Sequence, residues 1–501
     1  YLSVLWIFLA IIVSYMLWEY SNPKVFPWHT YPTLFVEYFC AFGIILLVPL
    51  DISVTIVGRR SLDEKDYYED NVHTIIDMYL SLYWPLLVLS NVVIVFQEQY
   101  NRSGYFTLGS RLKDCFIQGC IMSAAGMVAG CVFFGILVGQ GVIEASTDAV
   151  LLTAVLITNT IGLTFLMFLL GYGLVSYPIM LWGCGNIELR LLRAQQKAAA
   201  EFKNLADTSL DISLTVSDVL RTKQELPKYA DQEVNEVMEV LLKECPSDFT
   251  SSKMGKVAVD KQGKVTVHTL AALRLQLYWH MAKYGMALGR TQKIQLKAYY
   301  LEDLVEASNR RDGVEQIKWS LKPESTRREY QWHLKVKPVL YRVAAVICAC
   351  MSAFSYLGVL GGMHGVSTDV SVYSIVVHKD DTTGNGITVF VLLTLGYACY
   401  VTMWALFEMK IANFMELVTN QGTWPLSMSF NARMVARLSA PLAFFYLGWL
   451  QENQTRDGPW SDAPGDDTLS GDDDDKLYTA FSRFYEIQVI PVMGMSVFVF
   501  T

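Results

Sequence analysis

The sequence predicts an all-α fold: a polytopic membrane helical bundle of about nine transmembrane helices, with a cytosolic helical insert between the fifth and the sixth. Two observations lead to this prediction. Of the 501 residues, 52% are hydrophobic and 18% are charged, whereas soluble domains carry about 25% charged residues. The long apolar runs are concentrated in 1–184 and 338–450, while 185–337 is rich in Lys, Arg, Glu and Asp. A membrane part interrupted by one soluble insert follows.

Nine stretches are apolar enough to be spans, because a helix needs about 20 apolar residues to cross the ~30 Å hydrocarbon core. They are 1–19, 33–56, 73–97, 112–141, 148–184, 338–362, 386–412, 430–450 and 479–501. The last two contain charged side chains, so a partly re-entrant course is the alternative for each. The fifth is longer than the membrane requires, and we expect it to continue as a helix into the insert.

These boundaries divide the chain into a first membrane half (1–184), a cytosolic helical hairpin (185–337) and a second membrane half (338–501) with an acidic external loop at about 451–477. Charges in the short loops do not settle the orientation, but basic residues flank the hairpin and favour the cytosolic side. They are Arg190, Arg193, Lys197, Arg327, Arg328, Lys335 and Lys337. The N-terminus is therefore expected outside, which makes Asn453 a candidate for N-glycosylation.

Within the insert, a run of residues spaced alternately by four and three predicts a coiled-coil seam. The run is Leu205, Ser209, Ile212, Val216, Val219, Lys223 and Leu226. A second helical stretch covers about 269–310, so an antiparallel hairpin is expected. Two roles remain open for it: a rigid spacer, or a docking surface on 205–310 for a cytosolic or membrane protein partner, because polar Ser209 and Lys223 weaken the seam.

Polar side chains inside the predicted spans are candidates for function, since ionisable groups in hydrocarbon are costly. They are Glu37, Asp51, Asp77, Asn159, Glu408, Arg433 and Arg437. The alternative is that those near helix ends reach headgroups or loop amides. Asp51, near Pro49 at the external end of the second span, is assigned such a structural role. Arg433 or Arg437 is predicted to pair with Glu408 and to lock the seventh and eighth spans together.

Glycines in the fourth predicted span suggest close helix packing, because small residues let helices approach each other. Gly119, Gly126 and Gly130 fall on one side of the helix, and Gly135 and Gly139 fall on the other. This distribution predicts that the fourth span lies between two neighbours, in the interior of the bundle.

No sequence motif indicates catalysis. Metalloprotease, serine-hydrolase, P-loop and dinucleotide-binding patterns are absent, and the seven histidines show no metal-ligand spacing in a span. We therefore expect no enzyme activity, cofactor or metal site. The net charge of −8 arises largely from the acidic loop at 457–476, so nucleic acid is not an expected partner, whereas the lipid bilayer is.

Several stretches, taken in order, resemble the limb-region-type (LMBR-type) family of multi-pass membrane proteins, closest to the subgroup named LMBR domain-containing protein two. They are "PLDIS", "YWPLLVL", "GYGLVSYP", "KECPSDF", "YYLEDL" and "ARLSAPLAFFYLGWL". The resemblance implies nine spans, an external N-terminus and a large cytosolic loop. It also implies a receptor-like or regulatory role in cell-surface receptor signalling or membrane scaffolding.

The resemblance supplies no ligand, so a second function stays open: a transporter, or a protein that handles lipid or another small ligand in an intramembrane cleft. A cleft faced by Asp77, Glu408 or Arg437 would favour the transporter, and a closed bundle would favour the regulatory role. The plasma membrane is the expected location, with an endolysosomal membrane as the alternative.

Overall fold

A computed structural model of the chain was analysed. It describes residues 2–21, 26–60, 65–139, 147–226, 231–249, 255–260, 264–310, 316–321, 326–363, 373, 376, 384–408, 417–419 and 422–450.

The first membrane half consists of six helices. They are α1 (Leu2–Tyr20), α2 (Thr30–Arg60), α3 (Lys65–Val88), α4 (Ile94–Arg102), α5 (Leu108–Gly139) and α6 (Thr147–Cys184). A π-helical turn over Leu89–Val93 joins α3 to α4. It follows Pro85, whose ring removes a hydrogen bond of the helical ladder.

The insert and the second membrane half are also helical in the part of the chain that the structure describes. The insert contains α7 (Ile187–Gln224), α8 (Gln232–Glu244) and α9 (Val267–Asn309). A short helix, α10 (Arg327–Tyr330), and a π-helical turn (Gln331–Val336) lead into α11 (Lys337–Met363), which is followed by α12 (Gly384–Glu408) and α13 (Pro425–Leu450).

Two helices, α2 and α6, form the centre of the membrane bundle. Helix α2 packs against α1, α3, α12 and α13, while α6 packs against α11, α12 and α13. Helix α2 is central because it is apolar on nearly every side, and Leu34, Tyr38, Ile44 and Leu47 are fully buried. All-round apolarity is typical of a helix that is enclosed by other helices or by lipid.

Six stretches of the described residues are long and apolar enough to cross a membrane. They are Ser3–Tyr20, Thr30–Thr55, His73–Arg102, Gly162–Cys184, Arg327–Leu357 and Gly386–Glu408. The chain is thus an all-helical integral membrane protein over its described residues. The fourth and eighth predicted spans correspond to the helices α5 and α13, which are not among the six, and the ninth lies outside the described residues.

The prediction that the fourth span is central was wrong. Positions Gly130, Gly135 and Gly139 of α5 have open space where a Cβ atom would be. Close packing through glycine occurs instead on α6, where a Cβ atom at Gly173 would lie 2.5 Å from Val401 Cγ1 of α12 and one at Gly162 would overlap the Arg437 carbonyl of α13. Of the predicted glycines of α5, Gly119 does pack closely, since a Cβ atom there would lie 2.6 Å from Phe96 Cε1 of α4. Gly130, Gly135 and Gly139 meet no described residue, so close approach at the centre of the bundle is made by α6.

The long helix expected to run from the fifth span into the insert is interrupted. Helix α6 ends at Cys184 and α7 begins at Ile187. Asn186 caps α7, because its side chain accepts a hydrogen bond from the Leu189 N–H at 3.2 Å. The two helices therefore have independent directions at the membrane boundary.

Helices α7 and α9 form an antiparallel pair along their length. Gln195 contacts Glu302 near the membrane end, Asp211 contacts His280 further out, and Ile212 packs in one cluster with Leu277 and Leu270 towards the tip. Helix α8 covers this end with Val234, Met238 and Leu241, and Thr266 caps α9.

The middle of the predicted seam is buried, but its two ends are not. Ile212, Val216 and Val219 are buried, but Lys223 is exposed and Thr222 is buried in its place. Thr208 is likewise buried more deeply than Ser209. The buried face is thus displaced by one residue at Ser209 and at Lys223, because a helical period of 3.6 differs little from the heptad spacing over so few turns.

Candidate functional site: a buried charge cluster and the hairpin junction

A cluster of charged side chains lies inside the bundle, where α2, α4 and α13 meet. Arg433 Nη2 of α13 is 3.2 Å from Glu98 Oε2 of α4, and the Glu98 side chain is only 6% exposed. Arg437 lies one helical turn after Arg433, on the same face of α13. We call Glu37, Glu98, Arg433 and Arg437 the buried charge cluster.

Glu37 of α2 is fully buried and completes the cluster. Electrostatic interactions reach it from Arg433, Glu98 and Arg437, and neither of its carboxylate oxygens has a hydrogen-bond partner among the described residues. Two carboxyl groups and two guanidinium groups thus lie together in a region of low dielectric, where electrostatic interactions are strong. The cluster fixes the register of three helices, and a change in the charge of any member would unbalance it.

The cluster lies near the ends of the helices that face the hairpin. Glu37 is seven residues beyond Thr30, the start of α2, and Glu98 is four residues before Arg102, the end of α4. At 1.5 Å per residue these positions are about 10 Å and about 6 Å from the helix ends. The charges are therefore close to the hairpin.

The predicted pairing of Arg433 or Arg437 with Glu408 was wrong. Glu408 Oε1 lies 3.7 Å from Lys197 Nζ of α7, and its side chain is 53% exposed. The reason is that α12 and α13 pack mainly against α2 and α6 and only slightly against each other. The acidic partner of Arg433 is Glu98.

Asp51 was expected to reach headgroups or loop amides at the end of a helix. In the structure its side chain is buried instead. Helix α2 continues through Pro49 to Arg60, and the Asp51 side chain is enclosed between α2 and α3. The Thr55 hydroxyl lies 3.5 Å from Asp51 Oδ1, and the Tyr79 phenol interacts with the Asp51 carboxyl group. Its structural role is therefore to link α2 to α3, rather than to mark a helix end.

The other predicted site residues are not brought together. Asp77 is exposed on α3. Asn159 belongs to α6, but its side chain lies outside the described part of the chain, as does Asn453. Three of the intramembrane candidates, Glu37, Arg433 and Arg437, join the buried charge cluster. The others, Asp51, Asp77, Asn159 and Glu408, are not placed in it.

Sequence reasoning missed Glu98, the acidic residue that Arg433 contacts. Glu98 lies one residue beyond the predicted third span at 73–97, so it was counted with the loop. In the structure, α4 continues to Arg102. The signal was available: the stretch "FQEQYNR" has no helix-breaking residue, and the first glycine after it is Gly104.

A second polar constellation fixes the hairpin to the membrane bundle. Arg274 of α9 is 7% exposed. It donates to the Tyr105 carbonyl at 2.9 Å, and its Nε donates to Glu244 Oε2 of α8 at 2.7 Å while its Nη2 contacts the other oxygen. The guanidinium also lies 4.4 Å from the centre of the Phe106 ring. We call this set, on the loop between α4 and α5, α8 and α9, the Arg274 clamp.

Aromatic and backbone contacts attach the hairpin at a second place. The Trp279 ring of α9 meets the Trp424 ring edge to face, with centroids 5.2 Å apart. The neighbouring Thr423 N–H donates to the Tyr20 carbonyl at the end of α1, at 3.2 Å. The hairpin thus contacts the ends of helices from both membrane halves.

Two cavities lie at the membrane surface of the protein. The larger, of about 490 Å³, lies between α1 and α2 and is lined by Ser14, Leu17, Trp18, Ser21, Tyr31, Pro32, Phe35 and Val36. The smaller, of about 270 Å³, is lined by Trp182, Arg342, Val343, Val346 and Ile347. Neither of them is lined by a member of the buried charge cluster. In the described residues, no group of three or more His, Cys, Asp or Glu side chains is arranged to hold a metal ion.

Comparisons with known proteins agree on one family. The family described as LMBR1-like membrane protein matches residues 1–501. Among its relatives, LMBR1 domain-containing protein 2 homolog B of Dictyostelium discoideum is 24% identical over 98% of this chain and 64% of its own. G-protein coupled receptor-associated protein LMBRD2 of Homo sapiens is 22% identical over 83% of this chain and 66% of its own.

The chain spans 64% and 66% of the lengths of these two relatives. No solved structure matches it. Because the family match extends over the whole chain and accords with the apolar helices described above, the protein belongs to the LMBR1-like membrane protein family.

Proposed function

We propose that this protein is a receptor-associated, regulatory integral membrane protein that acts without a catalytic step, through contacts made by its helical hairpin. The relatives named G-protein coupled receptor-associated protein LMBRD2 support an association with a membrane receptor. The observation that carries the proposal is an exposed apolar face on a hairpin that is held in one position.

That face lies on α7. Leu192, Phe202, Leu210 and Leu220 are all more than 40% exposed. At 100° per residue they fall within about 80° of one another, and they point away from the buried residues that contact α9. An amphipathic helix with an open apolar stripe of this kind is suited to bind a helix of a partner protein.

The hairpin presents this face in a defined position relative to the bilayer. The Arg274 clamp and the contact between Trp279 and Trp424 hold α9, and the bridge between Lys197 and Glu408 holds the base of α7. Because α7 packs along α9, the stripe cannot move independently of the membrane helices. A binding surface that responds to a neighbouring membrane protein has to be held in a fixed position relative to the membrane helices.

The proposal includes nine membrane helices, an external N-terminus and a cytosolic hairpin. This topology is supported by the positions of the connecting loops relative to the hairpin. The loop at Gly104–Phe106 contacts α9, Thr423 contacts the end of α1, and the His29 ring contacts Tyr100 at the end of α4. Alternate loops thus lie on the hairpin side, as in a chain that crosses the membrane at every predicted span.

A transporter needs a cleft that reaches the polar residues inside the bundle. Arg437 interacts with the other charges of the buried cluster, Glu408 faces Lys197, and the two cavities described above are lined by other residues. We therefore place the regulatory role first and the transporter second.

Proximity labelling in cells tests the proposed function. A labelling enzyme is fused to the full chain, and the double variant Leu210→Glu, Leu220→Glu is compared with the parent. The control is Leu296→Glu, which adds one of the same carboxylates at a residue of α9 that is 53% exposed. Membrane fractions give the location at the same time, plasma membrane or endolysosome.

We expect the double variant to lose labelling of membrane receptors and their cytosolic regulators at unchanged expression, while the control keeps it. Equal labelling by the parent and the double variant would exclude the α7 face as the partner surface. Labelling of external proteins alone would overturn the cytosolic position of the hairpin.

A further inference from the structure

Basic side chains are gathered where the hairpin leaves the membrane. At the break between α6 and α7, a Cβ atom at Gly183 would lie 2.7 Å from Arg193 Nη1, and one at Gly185 would lie 2.9 Å from Arg342 Cγ. The two glycines thus let guanidinium groups from α7 and α11 pack directly over the backbone of the break. A larger residue at either position would displace an arginine.

Further cations come from α7 and α9. The charged groups that act on Lys297 include Arg190, Lys197 and Lys293. Burial lowers the pKa of Lys297 below its ordinary value, and these three cations lower it further. Arg190 also lies 5.6 Å from the centre of the Tyr341 ring of α11. The lysines and arginines of α7 and α9 are therefore close enough to repel one another, and Arg190 lies against α11.

Little negative charge compensates this group. Glu408 lies 3.7 Å from Lys197, and Gln195 takes the nearby Glu302 as its hydrogen-bond partner. Among the described residues that act on Lys297, none is a carboxylate; Cys184 is the one group that favours its charged form. Like charges held together in this way are stabilised when an anion binds between them.

An apolar groove begins beside these cations and runs along the membrane surface of α6 and α11. It has a volume of about 270 Å³, and Arg342 lines it together with Trp182, Val343, Val346 and Ile347. Trp182, Val343, Val346 and Ile347 are all at least half exposed on the protein surface, so the groove opens towards lipid. Arg342 forms its charged end, and the apolar residues Val343, Val346 and Ile347 belong to the candidate membrane span Arg327–Leu357.

We propose that the base of the hairpin binds an anionic phospholipid, with the headgroup phosphate between Arg190, Lys297 and Arg342 and an acyl chain in the groove lined by Trp182 and Ile347. A lipid with a net negative charge carries both groups in one molecule: an anionic headgroup for the cations and a hydrocarbon chain for the groove. Clusters of basic residues at the membrane boundary recognise such lipids through these two interactions.

The test is native mass spectrometry of the full chain purified in detergent and given equal amounts of phosphatidylserine and phosphatidylcholine. The variant is Arg190→Gln, Lys297→Gln. The control is Lys243→Gln, which removes one positive charge from an exposed position of α8 near the tip of the hairpin.

We expect preferential binding of phosphatidylserine, reduced about fivefold for each basic residue removed and unchanged in the control. The charge-conserving variant Arg190→Lys, Lys297→Arg should retain binding, which separates loss of charge from loss of folding. Equal binding of the two lipids by the parent protein overturns the proposal, and that measurement needs no variant. Displacement of the bound lipid by millimolar inorganic phosphate would show a phosphate site instead and would equally overturn it.

Discussion

Arg433 Nη2 lies 3.2 Å from Glu98 Oε2, and this ion pair joins the two membrane halves of the chain. Glu98 belongs to α4, and Arg433 belongs to α13, more than three hundred residues later in the sequence. Because the Glu98 side chain is 6% exposed and that of Arg433 is 19% exposed, water screens the interaction poorly. The pair therefore contributes to holding the halves together, which an exposed pair does only weakly.

A double-mutant cycle tests this link. Glu98→Gln and Arg433→Gln should each lower the free energy of unfolding by about 2 kcal/mol, because each leaves a buried charged partner behind. The double variant should cost less than the sum of the two, with a coupling energy of about 1–2 kcal/mol. The measurement is thermal unfolding of the purified protein in detergent.

The matched control is the pair Lys197 and Glu408, which is 3.7 Å long and exposed on both sides. The same substitutions there should give a coupling energy below about 1 kcal/mol. Equal coupling in the two cycles would mean that burial of the Glu98 pair adds nothing.

The sequence was sufficient for the class of fold and for the positions of the helices. Eight of the nine predicted spans lie on helices of the structure, because twenty apolar residues in a row leave few alternatives to a membrane helix. The ninth, at 479–501, remains a prediction. The apolar runs gave the positions of the spans along the chain but not the rotation of each helix, which depends on its neighbours.

The buried charge cluster shows this limit. The sequence indicated that Arg433 needs an acidic partner, and Glu408 was the expected one, yet the two residues face different helices. Glu98 was missed because the span was ended one residue too early. Helix ends are the least certain feature of a sequence-based prediction, and charged residues are concentrated there.

The Arg274 clamp leads to a second prediction. Arg274→Lys keeps the charge but loses the planar fork that contacts both oxygens of Glu244. We expect the hairpin to be destabilised by about 2 kcal/mol and amide hydrogen exchange to rise both in the loop at 103–107 and around Arg274. Spans far from the clamp should exchange as before.

Arg310→Lys is the control for that experiment. Arg310 also contacts a glutamate, Glu306, but the pair is local, at the C-terminal end of α9, and the Glu306 side chain is 65% exposed. Arg310→Lys should change the free energy of unfolding by about 0.5 kcal/mol or less. Exchange that rises equally in both variants would contradict a specific role for Arg274.

Gly104 provides a third prediction, because the loop between α4 and α5 approaches α9 backbone to backbone. A Cβ atom at Gly104 would overlap the Ala271 carbonyl group, and a backbone atom cannot move aside as a flexible side chain can. Gly104→Ala should therefore separate the loop from α9. Limited proteolysis of the hairpin should become several times faster.

Gly109, five residues later, is the control, since a Cβ atom there would meet nothing within 4 Å. It lies in the first turn of α5, where alanine is favoured over glycine by up to about 1 kcal/mol. Gly109→Ala should thus leave proteolysis unchanged or slow it. Faster cleavage in the control as well would show that the loop, and not its contact with α9, limits the rate.

The hairpin should lose stability at mildly acid pH because of His280. Burial lowers the pKa of His280 from its ordinary value of 6.5, Asp211 raises it in part, and Lys283 lowers it. Below about pH 6.5 the unfolded chain binds a proton that the folded hairpin does not yet bind, so acid favours unfolding. The loss begins as the pH falls through that value and stops increasing below the pKa of the folded state.

Two variants isolate this contribution in thermal unfolding of the full chain at pH 7.5, 6.5 and 5.5. His280→Gln should remove the part of the pH dependence that begins at about 6.5. Asp211→Asn should steepen it, because the carboxylate that lies 3.7 Å from His280 Nδ1 favours the protonated ring. If His280→Gln keeps the pH dependence of the parent, the loss of stability at acid pH arises from another group. If Asp211→Asn makes the pH dependence weaker, Asp211 does not favour the protonated form of His280.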